Sequence, residues 1–253
     1  RCIIEKEVEY INRLAEMVDG LMILLTAKSN TSDAVISTLH KLQDHVPFVL
    51  MERYVKGLNC NYVVTDNFAG TYGAVEYLSK LGHKSILLLS TQDWANVTSL
   101  IDRVAGYDQA IKDFDVVETL RKEDESKIFL ERHMPYILNY KPVVENIMKV
   151  GGRHTAVIAT EYYLAAGIID AAQRMGLKVP DDLAVVGFDE HQVPWRFSVG
   201  ITTVIQPMYD IGQSAVDVLV DNIENGVKAP ENMYLKPKLV VKDSCGAKVV
   251  IPV

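Results

Sequence analysis

Leu183-Ala-Val-Val-Gly-Phe-Asp189 runs apolar for six residues without alternation and then ends on a carboxylate. A strand with one face in water alternates with period two, so this run reads as a strand covered on both faces, as in a parallel sheet. Asp189 then emerges at the carboxyl end of a strand, where open α/β sheets place their ligands. Gly20-Leu-Met-Ile-Leu-Leu25, Phe48-Val-Leu-Met51, Tyr62-Val-Val-Thr65, Ser85-Ile-Leu-Leu-Leu-Ser90 and Thr155-Ala-Val-Ile-Ala-Thr160 repeat the pattern. Between the runs, Val35, Leu39 and Leu42, then Leu164, Ile168 and Ala171, then Ile211, Ala215, Val218 and Ile223 recur at helical spacing. Asp33 and Asp66 stand where helix N-caps belong, and Gly82, Gly176 and Gly226 stand just past helices. Strand and helix alternating in this way predict an α/β fold with right-handed crossovers and a mainly parallel sheet. Lys238-Leu-Val-Val-Lys242 reads as a late strand returning to a sheet.

The 253 residues allow one large domain or two modest ones, at about 150 residues per domain. Apolar residues make up 49% and charged residues 23%, which is globular composition and excludes disorder, collagen and coiled coil. Lys plus Arg number 26 against 33 for Asp plus Glu, a formal charge of −7. An acidic chain is a poor duplex-coating DNA binder, because that affinity comes from cations neutralising phosphates. Cys2, Cys60 and Cys245 are odd in number and far apart, which fits a reducing compartment and makes the cytoplasm the expected location. No apolar run reaches the roughly 18 residues that span a bilayer, and the start has no signal-peptide core. The chain opens on Arg1 instead of Met, the mark expected of a fragment or a processed product. Residues 120–142 form the least regular stretch, and within it Arg121-Lys-Glu-Asp-Glu-Ser-Lys127 reads as a solvated loop or helix start.

Catalytic signatures are missing: no GxSxG, GxxxxGK, GxGxxG, HExxH or CxxC occurs. His40 and His45 are five apart, which misses the i, i+4 face needed to share a metal, so no metal or cofactor is expected. Position at strand ends selects better candidates. Asp189 and Glu52 each follow a buried strand directly, either as ligand carboxylates or as turn residues bonding their own backbone. Arg103, near the start of the helix after Ser90, offers a rigid fork to two neighbouring oxygens, or else pairs locally as helical arginines do. Trp94, in the preceding loop, is either a stacking plate for a sugar face or a lid on the core, and Trp195 and Phe197 carry the same ambiguity. Carboxylates that accept hydroxyl protons, an arginine that donates and aromatic faces over C–H patches together suit a neutral polyol.

A set of motifs also occurs in order. It comprises Val18-Asp-Gly-Leu-Met-Ile, Pro47-Phe-Val-Leu-Met-Glu-Arg53, Val64-Thr-Asp-Asn-Phe-Ala-Gly70, Leu81-Gly-His-Lys84, Arg103-Val-Ala-Gly-Tyr107, the stretch from Gly176 to Asp189, and Thr202-Thr-Val-Ile-Gln-Pro207. This set resembles the effector-binding domain of LacI/GalR-type transcriptional regulators, over about residues 5–244. The resemblance implies a periplasmic-binding-protein-like type I fold of two interwoven, doubly wound α/β subdomains, with a ligand in the cleft between them. Crossovers carried onto this sequence fall near Thr65, Gln206 and Met233. The N-terminal subdomain is then 1–65 plus 206–232, and the C-terminal one 66–205 plus 233–246. Arg103 and Asp189 match the family's effector-binding Arg and the Asp of its Gly-Phe-Asp motif, while Glu52 stands where an Asp is usual. Ser99 and Gln206 also fall on pocket-lining positions. Glu161 and Tyr162 replace the usual Asn-Asp before a helix, which implies altered ligand choice or a partly collapsed site.

The resemblance further implies a small-molecule effector, a carbohydrate or sugar phosphate, and a homodimer that binds operator DNA through an N-terminal helix-turn-helix absent from these residues. The family's first strand and helix are also missing, and Arg1-Cys-Ile-Ile4 could be the end of a strand. The alternatives are a sugar-binding protein that feeds a transporter, and a sugar-processing enzyme, for which no acid/base pair with a nucleophile surfaces.

Overall fold

The computed structural model describes residues 3–91, 93–114, 116, 127–130, 139–151, 155–192, 198–226 and 229–246. The chain divides into two compact units. The first is Arg1–Asp66 with Trp94–Ile101 and Pro207–Lys236, and the second is Asn67–Asp93 with Asp102–Gln206 and Pro237–Val253. Met233, near which a crossover was expected, lies inside a strand of the first unit, and the division falls after Lys236.

The first unit holds four parallel strands in the order β1 (Leu21–Ile23), β2 (Phe48–Met51), β3 (Asn61–Thr65) and β9 (Asn232–Leu235). Its helices α1 (Ile3–Ala15) and α2 (Asp33–Leu42) supply Ile11, Val35, Leu39 and Leu42 to a core shared with Leu21, Ile23, Leu25 and Leu50. Helix α7 (Met208–Asn225) packs Ile211, Ala215 and Leu219 on Val49 and Val63, residues that point to the other face. Both faces of β2 and β3 are therefore covered, which accounts for their lack of alternation.

The second unit holds six strands in the order β10 (Lys238–Val240), β8 (Thr202–Ile205), β7 (Leu183–Phe188), β6 (Thr155–Ala159), β4 (Ser85–Thr91) and β5 (Lys127–Leu130). All neighbours are parallel except β10, which returns antiparallel on β8, as the late-strand reading expects. Helices α5 (Lys141–Gly151) and α6 (Tyr162–Arg174) pack Val144, Ile147, Leu164, Ile168 and Ala172 on Leu87, Val157 and Val185. Helices α3 (Asn67–Lys80) and α4 (Thr98–Asp113) complete the list, with the first four residues of α4 belonging to the first unit.

Local chemistry sets the boundaries. Gly82, Gly176 and Gly226 have φ of 94°, 80° and 81°, the positive region that stops a helix most easily at glycine. The cap of α2 is Ser32, one residue before the expected Asp33, whose carboxylate instead lies in the first turn near the positive end of the helix. Ile3 and Ile4 belong to α1 and not to the end of a strand, because Ile4, Val8, Ile11 and Ala15 share one apolar helical face. Lys127–Leu130 forms a strand within a stretch that reads as irregular from its charge, while residues 121–126 of the charged run lie outside the described residues. No described helix is long and apolar enough to cross a membrane.

Candidate functional site

In the second unit, β6, β7 and β8 are neighbours, and Glu161, Asp189 and Gln206 follow them at their carboxyl ends. Arg103, on α4, is only 4% exposed. Its Nε donates to Asn67 Oδ1 at 2.8 Å, and its Nη1 donates to the Thr160 carbonyl at 2.5 Å. Its guanidinium carbon lies 3.5 Å from the centroid of the Phe188 ring, a cation–π stack that fixes the plane of the fork. One turn further along α4, a Cβ on Gly106 would meet the Phe68 carbonyl oxygen at 2.3 Å. Glycine there lets α4 approach α3 closely enough for Arg103 to reach Asn67.

Asp189 holds φ at 67°. Its N–H donates to the Val204 carbonyl at 2.8 Å, and Thr203 Oγ1 donates to its carbonyl at 2.5 Å. Gln206 Nε2 donates to Asp189 Oδ2 at 2.9 Å, so the residue after β8 orients the carboxylate after β7. Glu161 occupies the N-cap of α6 with extended backbone, yet its side chain does not cap the helix. It adds to burial in raising the Tyr140 hydroxyl above its usual range. Tyr162 is buried in the core with Leu87, Val157 and Leu164, its ring edge-on to His191 at 6.2 Å. Burial, helped by Glu190 and opposed by Lys242, raises its hydroxyl. The structure thus places Tyr162 as a packing residue.

In the first unit, Glu52 follows β2 with φ at 65°. Arg53 Nη1 donates to Glu52 Oε2 at 3.1 Å and to the Leu25 carbonyl, just beyond β1, at 3.0 Å. Trp94 is half-buried in the 3₁₀ turn Trp94–Asn96, and Ser99 is buried in the first turn of α4. That turn is anchored by Asn30, whose Oδ1 accepts from the Thr98 N–H at 2.8 Å while its Nδ2 donates to the Tyr54 carbonyl at 2.6 Å.

The structure therefore brings together Arg103, Glu161, Asp189 and Gln206 in the second unit, and Glu52 belongs to a separate cluster in the first. Trp195 and Phe197 lie outside the described residues. Sequence reasoning assigned no role to Asn67, Phe188 or Arg53, although each sits inside a quoted motif, beside Asp66, Asp189 and Glu52 respectively. Among the described residues, no three His, Cys, Asp or Glu gather to hold a metal ion. What the arrangement offers is fixed donors and acceptors, which suit the binding of hydroxyl-bearing molecules.

Two α/β units with polar groups ranged at the carboxyl ends of parallel strands define a ligand-binding domain of the periplasmic-binding-protein-like class. A family model described as a periplasmic binding protein-like domain matches residues 75–245. The HTH-type transcriptional repressor PurR of Klebsiella pneumoniae (strain 342) is 30% identical over 247 residues, covering 95% of this chain and 67% of the relative. The solved structure of a regulatory protein of the LacI family from Chloroflexus aggregans matches with a TM-score of 0.77 at 25% identity, over 95% of this chain and 82% of that one. A complex of the transcriptional regulator CelR with cellobiose shares the fold, with a TM-score of 0.77 at 23% identity over 95% and 70% of the two chains. The chain belongs to the LacI/GalR family of transcriptional regulators, as its effector-binding domain.

Proposed function

We propose that this domain senses a small carbohydrate-like effector. The observation that carries the reading is Arg103, held on three sides by Asn67, Thr160 and Phe188, at strand ends that also present the Asp189–Gln206 pair. A buried guanidinium held this firmly loses little further entropy when a ligand hydroxyl docks on it. Asp189 supplies the acceptor that a polyol needs. Glu161 takes part at the same strand ends, and Glu52, Ser99 and Trp94 are candidate ligand contacts within the first unit. Tyr162 shapes the strand end by packing. A fold neighbour was solved with cellobiose, which supports the sugar class.

The effector acts by population shift, because a ligand that binds one conformation better draws the ensemble toward it. The protein works in the cytoplasm as a homodimer, meets operator DNA through a segment outside this sequence, and leaves its effector chemically unchanged. The test is a thermal-shift screen of mono- and disaccharides, with flat heteroaromatic bases as the contrasting class. A sugar that raises Tm in the parent and not in Arg103→Ala or Asp189→Ala supports the reading. A base that does so in place of every sugar, or variants that respond fully, overturns it.

A further inference from the structure

We propose that Asn30 is a positioning residue of the effector site: from the loop after β1 it caps helix α4, and so holds Ser99 and Trp94 in place to meet the effector. This inference rests on the carbohydrate reading above, which makes those two residues ligand contacts.

Helix α4 begins at Thr98, and the residue before it is Val97. The Val97 carbonyl opens the helix by accepting from the Leu100 and Ile101 N–H groups, both at 2.9 Å. An N-cap residue ordinarily also supplies a side-chain acceptor for the free N–H groups of the first turn, and valine has none. Asn30 supplies it from 68 residues away. Its Oδ1 accepts from the Thr98 N–H at 2.8 Å, while its Nδ2 donates to the Tyr54 carbonyl, in the loop after β2, at 2.6 Å. Thr98 Oγ1 lies 3.1 Å from Asn30 Oδ1 and 2.9 Å from the Tyr54 carbonyl, and it gives its one proton to either. Turning the amide over would set N–H against N–H and oxygen against oxygen, so the network fixes its orientation. Asn30 and Thr98 are both buried, and removing the amide would leave the Thr98 N–H unpaired out of reach of water.

Asn30 is itself held. Its N–H donates to the Thr26 carbonyl at 3.2 Å. The Glu7 carboxylate of α1 accepts from the Thr26 N–H at 3.4 Å, from the Thr26 hydroxyl at 3.3 Å and from the Ser29 hydroxyl. What Asn30 anchors is the run that carries the two contacts. Trp94–Asn96 is a 3₁₀ turn, and the Val97 N–H donates to the Trp94 carbonyl at 3.2 Å, so turn and helix start form one hydrogen-bonded run. Thr98 stands within it, next to Ser99. Asn30, Tyr54 and Trp94–Ile101 all belong to the first unit. Without the cap the first turn of α4 frays, and Trp94 and Ser99 lose their fixed places. A contact that must first be ordered binds more weakly, because the ordering entropy is then charged to binding.

The experiment compares Asn30→Ala and Asn30→Asp with Asn61→Ala in the whole chain. Asn61 is the control: it is also buried in the first unit, and its Oδ1 accepts from the Glu231 N–H at 2.8 Å, but it stands at the start of β3, away from the carboxyl ends of the strands. The chain has two tryptophans, so Trp195→Phe in every protein leaves Trp94 as the reporter, and acrylamide quenching reads its shielding with no ligand present. Quenching is expected to rise at least about twofold in Asn30→Ala and to stay at the parent value in Asn61→Ala. Asn30→Asp keeps the acceptor for Thr98 and loses the donor to Tyr54, so a smaller rise is expected there. Calorimetry then uses glucose, ribose and cellobiose as probes. The probe that binds the parent is expected to bind at least about tenfold more weakly to Asn30→Ala, and equally well to Asn61→Ala. If Asn30→Ala does not fold, Asn30→Asp decides by the same two readings. Quenching or binding that is unchanged at position 30, or altered equally at positions 30 and 61, overturns the positioning role. If no probe binds the parent, the carbohydrate reading falls, and quenching alone decides whether Asn30 positions Trp94.

Discussion

Glu52 and Asp189 make the same backbone bond at the ends of two different sheets. Each N–H donates to the carbonyl of the residue paired with its predecessor, Val63 opposite Met51 and Val204 opposite Phe188. Their φ values, 65° and 67°, are the only positive ones among the described non-glycine residues. The left-handed region costs an L-residue roughly 1–2 kcal/mol, so each of these strand ends holds its carboxylate on a strained backbone.

Position 52 should therefore rank substitutions in an unusual order. Glu52→Gly is expected to lose less stability than Glu52→Val, because glycine carries no left-handed penalty while both variants lose the pair with Arg53. Glu52→Val is expected to lose about 1–2 kcal/mol. Urea titrations read the order directly. Strand propensity alone would place Val above Gly, and finding that order would show that the backbone strain is not there.

Arg103 and Asp189 should separate effector binding from folding when changed conservatively. Arg103→Lys keeps the charge but cannot give one proton to Asn67, another to Thr160 and a flat face to Phe188 together. Asp189→Asn keeps the shape and can still accept from Gln206 while losing the charge. Each should weaken the active ligand by about 2 kcal/mol, roughly thirtyfold in Kd, with the circular dichroism spectrum retained. Unchanged Kd values in both would remove these residues from the site.

Gly106 and Gly73 should respond to alanine with opposite signs. A Cβ at 106 would sit 2.3 Å from the Phe68 carbonyl oxygen, which is backbone and cannot swing away, so Gly106→Ala should cost about 3 kcal/mol or more. At Gly73, within α3, a Cβ meets nothing within 4 Å, and alanine should stabilise by about 0.5–1 kcal/mol through helix propensity. Gly106→Ala should also weaken effector binding, because it pushes Arg103 away from Asn67. Similar midpoints for the two variants in urea would refute the close-approach account.

The buried strands, the helix-stopping glycines and the carboxylates after β2 and β7 were legible in the sequence, because each follows from a local rule about burial, φ or position along a strand. The grip on Arg103 was not. Asn67, Thr160 and Phe188 come from three elements, and no spacing in the chain announces that they converge. Lys127–Leu130 was hidden because its pairing with Leu88–Thr91 is long-range and its flanks are charged.

Cys60 gives a prediction that involves no ligand. Burial at the start of β3 pushes its thiol from 9.0 up to about 12. The fold favours the neutral thiol, so this contribution is complete below pH 9 and is lost as pH rises from 9 toward 12. Tyr140, also raised by burial, acts in the same direction. In the parent, stability should therefore fall with pH across that window. Cys60→Ala should flatten the fall by up to one proton, about 1.4 kcal/mol per pH unit, while leaving the tyrosine contribution in place. Urea midpoints collected from pH 8 to 11 for both proteins measure the difference. Parallel slopes would mean that the thiol ionises as easily in the folded chain as in the unfolded one.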